Sequence, residues 1–154
     1  LTWGADEHVM CALAAGWWFY CRHRSARHRT DSNHILLTAA AVTLLPHLLK
    51  SIFDQRRPDR LMVRAHLHGV PLSGKPLDAF PSGHAIHVGA LASAATVLPP
   101  AKRNLVWSIG AGLVLTRIVL LAHWTSDVIA GLAIGVAVER LLRRWTGFGL
   151  SRRE

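Results

Sequence analysis

Acidic side chains are scarce in this chain: 9 Asp and Glu stand against 18 Lys and Arg in 154 residues, with 10 His besides. So few carboxylates leave little material for a two-metal centre, which needs a cluster of them. Cysteine is nearly absent. Cys11 and Cys21 fall in one apolar segment; on a helix rising about 1.5 Å per residue they lie roughly 15 Å apart, beyond disulfide reach. Two buried thiols with no redox role are expected. No internal repeat or low-complexity tract is found, and no basic stretch leads into an apolar core at the start, so no signal peptide is expected. The length suits one domain. A net charge of +9 suits nucleic acid, anionic lipid or a phosphate-bearing substrate. No basic stripe with a nucleic-acid-reading motif accompanies it, so nucleic acid is not expected as a partner.

Hydrophobic residues are plentiful, at 51%, and gather in five segments near 8–21, 35–53, 82–98, 104–122 and 125–145. Several fall short of the roughly 20 residues that span a hydrocarbon core, which keeps a soluble helical bundle as an alternative. The stretch 105–116, however, is apolar around its whole circumference, where a surface helix in water shows a polar face. The expected fold is all-α, a transmembrane bundle of about five helices. Gly131-x3-Gly135, Gly89-x3-Ser93 and Gly110-Ala111-Gly112 are the small residues that close helix packing in lipid uses. With the segments spanning in turn, the loops 22–34 and 99–103 and the tail from Arg140 share one side and hold 11 of the 18 cations. The positive-inside rule puts that side in the cytoplasm.

Three short motifs lie at segment ends: Lys50-x6-Arg57-Pro58, Pro81-Ser82-Gly83-His84, and Arg117-x5-His123-x3-Asp127. Lys50 and Arg57 are two turns apart, so they can share a face at the end of the second helix, which Pro58 stops; alone, they also read as snorkelling interfacial cations. Ser82 can cap the third helix, whose free N–H groups form an anion site that Gly83 lets an anion approach, with His84 beside it to move a proton. A capped helix start with an incidental histidine reads equally well. Asp127 lies four positions after His123, which places them on one helical face. A carboxylate bonded to one ring nitrogen exposes the other as a nucleophile, and Arg117 can grip phosphate oxygens with its planar fork. The bland reading there is a helix cap beside a structural His–Asp pair. Five alternating spans, however, bring all three motifs to the same side of the membrane, opposite the cation-rich loops. Together they hold what is needed to bind a phosphate and transfer it through histidine.

In order, spacing and residue type the motifs resemble those of the type 2 phosphatidic acid phosphatase superfamily, which also includes bacterial non-specific acid phosphatases and vanadium haloperoxidases. The resemblance runs from Lys50 to Asp127 and on through Val128-Ile129-Ala130-Gly131. Thr116 stands where Ser is usual, and the six-helix membrane members have one more helix at the front. Residues 1–154 are thus expected to form a single membrane-embedded phosphatase domain without that first helix. The resemblance implies a metal-independent phosphatase that needs no cofactor and acts on a lipid phosphate or pyrophosphate: polyprenyl pyrophosphate, phosphatidic acid or phosphatidylglycerol phosphate. It assigns His123 as nucleophile, Asp127 as its orienting carboxylate and His84 as acid and base. Lys50, Arg57, Ser82, Gly83 and Arg117 would hold the phosphoryl oxygens. Other activities compatible with these residues are a lipid phosphotransferase, a vanadate-dependent haloperoxidase and a non-catalytic lipid-binding protein. Membrane lipids are the expected surroundings, in a multi-pass protein of a bacterial inner membrane with its site on the periplasmic face.

Of the remaining features, His66-x-His68 and His84-x2-His87 lack a third ligand for a metal; solvated loop histidines and a packed His87 are expected. The loop 59–80, rich in Leu, Val and Met, is the natural lid over the site or contact for a lipid tail, and reads nearly as well as a plain connecting loop. Pro46 is expected to kink the second helix, and Trp17, Trp18, Trp107, Trp124 and Trp145 to mark membrane interfaces.

Overall fold

The computed structural model describes residues 7–60, 62–63, 66–67 and 77–149. Five helices carry the fold: α1 Glu7–Cys21, α2 Ala26–Lys50, α3 Gly83–Ala94, α4 Pro100–Val119 and α5 Thr125–Thr146. Between α2 and α3 lie a 3-10 turn at Pro58–Arg60 and two antiparallel two-residue strands, β1 Met62–Val63 and β2 His66–Leu67. Most of the 59–80 lid segment, and His68, lie outside the described residues.

Two boundaries differ from expectation. The 22–34 loop shrinks to four residues because α2 begins at Ala26, so Arg27 and Arg29 ride on its first turn. At its other end α2 stops at Lys50, not at Pro58. Arg57 therefore leaves the helix altogether, and Pro58 opens a 3-10 turn. The break is tertiary in origin: Gln55 pairs with Asp78 in an isolated parallel bridge, with Gln55 N donating to Leu77 O at 3.2 Å and Ala79 N to Gln55 O at 3.0 Å. The α2 helix runs through Pro46, which is buried. Pro100 starts α4 at the position where a missing N–H costs nothing, and Gly147 ends α5 in the left-handed conformation, at φ 71°.

Packing centres on α3, which touches α2, α4 and α5. The α3–α5 contact is backbone against backbone. A Cβ on Gly131 would lie 2.7 Å from the Ser82 carbonyl oxygen and 2.8 Å from Ala85 Cβ. One on Gly135 would strike the Ile86 carbonyl, and one on Gly89 the backbone of Leu132. The small residues at 89, 131 and 135 thus form the helix–helix seam, whereas Gly112 faces outward with nothing within 4 Å. Around the seam sit two apolar clusters: Ala85, Val88, Val114 and Val128, and Val42, Ile86 and Ala90.

At the end remote from the motifs, buried Glu139 gathers a polar knot. It takes hydrogen bonds from Ser93 Oγ at 2.5 Å and Arg143 Nε at 2.9 Å, and lies 3.1 Å from His34 Nε2. Three helices are thereby joined with every partner of the buried carboxylate supplied from within. Both cysteines are free; Cys21 is buried as expected, while Cys11 is only half-buried. His87 is packed, bonded through Nδ1 to Gly83 O at 2.9 Å.

The outer surface is apolar. Leu105, Ile109, Leu115 and Val119 on α4, and Leu44 and Leu48 on α2, are all more than half exposed. Trp17, Trp107, Trp124 and Trp145 are exposed too. Among the described residues α2 is the one helix both long and apolar enough to cross a membrane by length and composition.

The seam predicts a contrast between two glycines. Gly135→Ala should destabilise by about 1–3 kcal/mol, because no side chain there can give way. Gly112→Ala should be neutral or stabilising by up to about 1 kcal/mol. Thermal unfolding of the detergent-solubilised variants checks both.

Candidate active site

The close approach of α3 and α5 sets their N-terminal ends side by side, and Ser82 N donates to Asp127 O across the gap at 3.2 Å. The turn after α4 joins them. Ala122 N donates to Arg117 O at 3.0 Å, and Leu121 sits in the left-handed region at φ 53°. Glycine is usual at such a helix exit, and a residue with a Cβ costs roughly 1–2 kcal/mol there. Two contacts hold this turn against the Arg57 segment: Asp59 N to Leu121 O at 3.0 Å and Trp124 Nε1 to Arg56 O at 2.9 Å.

His123 lies in that turn, before α5 rather than on it, and is 5% exposed. Its Nδ1 is 2.7 Å from the Ala79 carbonyl oxygen, so Nδ1 carries the proton and donates it. Its Nε2 is 3.5 Å from Arg57 Nη1, which can only donate. Both partners assign one tautomer, with an unprotonated Nε2 turned toward the guanidinium. Burial lowers the pKa of His123, and the Arg57 charge lowers it further, to about 3. The ring is neutral at physiological pH.

Asp127 does not take the place expected for it. Its Oδ2 is 3.8 Å from His123 Nδ1, beyond hydrogen-bonding distance. The same oxygen accepts from Trp124 N at 2.9 Å, closing the first turn of α5, and Ser126 and Gln55 side chains also bond the carboxylate. A carboxylate at the third position of a helix has the free N–H groups of the helix start within reach. The backbone takes Asp127, and the imidazole takes a carbonyl.

Arg57 is buried. Its Nε donates to Asp78 Oδ1 at 2.8 Å and its Nη1 to Ala122 O at 3.0 Å. Lys50 Nζ lies 3.6 Å from the other Asp78 oxygen. Burial pushes the Asp78 carboxyl up, but the bond and charge of Arg57, with the charge of Lys50, outweigh it and hold the pKa below the usual carboxylate range. Arg117 reaches the cluster from α4 with Nη2 3.0 Å from His84 Nε2. Ser82 precedes α3 but makes no cap hydrogen bond, and its fully buried Oγ has no partner among the described residues. A Cβ on Gly83 would meet Pro46 at an ordinary 3.7 Å, so neighbouring side chains do not demand glycine there.

All eight residues singled out from the sequence thus lie at one end of the bundle. Asp78, Ala79, Ala122 and Gln55 join them unforeseen. Asp78 had one visible signal, a rare acid three residues ahead of Pro81; backbone carbonyls leave none.

A match to the PAP2 superfamily covers residues 31–149. The chain belongs to that superfamily. It is also similar to two proteins named lipid A 1-phosphatase, from Rhizobium johnstonii and Rhizobium etli. Each is 37% identical over 103 residues, which are 66% of this chain and 42% and 44% of the respective relatives. The chain therefore spans less than half the length of these relatives. No solved structure matches.

The neutral His123 makes a pH prediction. Its folded-state pKa of about 3 lies below the roughly 6.5 of an unfolded chain. Between those values the unfolded state binds more protons, so this contribution to stability is fully present above about pH 6.5 and is lost as pH falls toward 3. The thermal midpoint of the wild type should drop more steeply from pH 7 to pH 4 than that of His123→Gln.

Proposed function

We propose that this protein is a membrane-embedded lipid phosphatase that works through a phosphohistidine on His123. The observation that carries the reading is the state of His123: a fixed tautomer with a bare Nε2 beside a buried arginine. In the first step the Nε2 lone pair attacks phosphorus, and the bond from phosphorus to the lipid oxygen breaks. His84 gives a proton to the leaving oxygen. In the second, water attacks the phosphohistidine, His84 takes the water's proton, and inorganic phosphate leaves with Nε2 restored. In this structure His84 Nε2 accepts the Arg117 N–H and holds no proton. When a phosphomonoester monoanion binds, Arg117 turns to a phosphoryl oxygen and that nitrogen takes the ester's own proton, which it passes to the leaving oxygen. Arg57, Lys50, the Ser82 hydroxyl and the Gly83 N–H are the other donors to the phosphoryl oxygens, whose charge stabilisation is the main demand of this chemistry. The unpartnered Ser82 Oγ supports this, since a buried hydroxyl without a partner costs stability unless a ligand uses it. Asp127 acts on His123 through its charge and by rigidifying the first turn of α5.

The apolar exterior supports placing the whole chain as a single domain within the bilayer, with α2 crossing it and the other helices embedded beside it. The cation-rich end, with Arg22, Arg24, Arg103, Arg140 and Arg144, then faces the cytoplasm and the site faces outward in an inner membrane. The names of the Rhizobium relatives point to a glycolipid phosphate of the lipid A type as substrate.

Phosphate release should be measured in detergent with chelator present, over lipid A 1-phosphate, phosphatidic acid, phosphatidylglycerol phosphate and a polyprenyl pyrophosphate. Wild type should release phosphate from at least one lipid, the lipid A ester foremost. His123→Ala should lower kcat about a thousandfold or more. Activity that survives in the variant contradicts the mechanism, and turnover confined to water-soluble esters contradicts the lipid assignment.

A further inference from the structure

A carboxylate stands between two of the cations. Asp78 faces Arg57 and Lys50 at 2.8 and 3.6 Å, where it opposes the attraction of an anionic substrate. If that were its whole effect, its removal would tighten phosphate binding and speed the enzyme. The contacts around it indicate the opposite.

Arg57 meets the Asp78 residue along one edge, with Nε on the carboxylate at 2.8 Å and Nη2 toward the Asp78 carbonyl oxygen at 3.5 Å. That grip leaves Nη1 on the far edge, 3.0 Å from Ala122 O and 3.5 Å from His123 Nε2. A planar guanidinium held along one edge cannot swing its other edge freely. The next residue in the chain, Ala79, gives its carbonyl to His123 Nδ1 at 2.7 Å. Residues 77–79 are tied in turn to Gln55 by two backbone bonds, only two positions before Arg57. A single short segment therefore sets both the guanidinium and the imidazole.

We propose that Asp78 is a positioning residue of the phosphoryl-transfer site: its side chain aims Arg57 at Nε2 of His123, while its neighbour's carbonyl aims the ring. The inference rests on the phosphohistidine reading above. Asp78 itself does not contact the transferred group; it acts through Arg57, and its charge is the cost of that placement.

The test is a double-mutant cycle on a lipid phosphate, with kcat, KM and the inhibition constant of inorganic phosphate measured for each form. Asp78→Ala should lower kcat/KM by roughly 30- to 100-fold, the scale of a misplaced catalytic group, mostly in kcat. Asp78→Asn keeps an acceptor for Arg57 Nε and should retain more activity than Asp78→Ala. In an Arg57→Ala background, Asp78→Ala should cost less than about threefold more, since residues acting through one another are not additive. Inhibition by phosphate should weaken in Asp78→Ala. Full additivity, tighter phosphate inhibition with faster turnover, or wild-type kinetics in Asp78→Ala would overturn the proposal. If Asp78→Ala does not fold, as thermal unfolding will show, the same cycle run with Asp78→Asn decides. His123→Ala separates the two claims. Should it stay active, the phosphohistidine reading fails and the inference with it; should it be dead while Asp78 variants are normal, only the inference fails.

Discussion

The contact on which the rest depends is the backbone-to-backbone approach of α3 and α5. Gly89, Gly131 and Gly135 leave no room for a side chain between the two helices. Because the glycine at 131 abuts the Ser82 carbonyl, the seam reaches the very start of α3. It places the N-terminal ends of both helices together, with Ser82 bonded to Asp127. The motif that opens α3 and the one that opens α5 are thus joined by main-chain geometry before any motif side chain takes part. Main-chain contact of this kind leaves little slack, which is what a preorganised site requires of its frame.

Charge is arranged on that frame with a clear division. The cations Lys50, Arg57 and Arg117 converge at one end, and the buried carboxylate Glu139 is neutralised at the other by its own partners. At the end that holds the motifs a protonated imidazole would be doubly disfavoured, by burial and by Arg57. The nucleophile role proposed for His123 demands a lone pair, and these surroundings keep one on Nε2 with the Ala79 carbonyl, rather than the Asp127 carboxylate, bonded to Nδ1. The Ala79 carbonyl, a neutral dipole, fixes the ring and leaves the positive field intact.

Much of this was legible in the sequence, and the failures have physical causes. Five helices followed from the apolar segments, and the gathering of Lys50, Arg57, Ser82, Gly83, His84, Arg117, His123 and Asp127 at one end of the bundle followed from the order and spacing of their motifs. The seven-residue interval from Lys50 to Arg57 read as two helical turns because helical periodicity is local. The pairing of Gln55 with Asp78 that breaks α2 is a contact across the intervening segment, which periodicity does not register. The interval of four from His123 to Asp127 read as a helical pair. A position three from a helix start, however, is also where a carboxylate serves the backbone, and in this chain the backbone wins. The Ala79 and Ala122 carbonyls, which orient His123 and Arg57, belong to residues whose side chains carry no chemistry, so no motif marks them.

In the proposed mechanism the bare Nε2 of His123 takes the phosphoryl group. The direct measurement is a rapid quench of a single turnover on lipid substrate labelled in its phosphate, followed by peptide mapping under alkaline conditions that preserve phosphohistidine. Label is expected on the peptide bearing His123, absent from His123→Ala and retained longer in His84→Ala, where water is no longer activated. Phosphate released at full rate with no labelled protein at any time, or label residing on another residue, would contradict it.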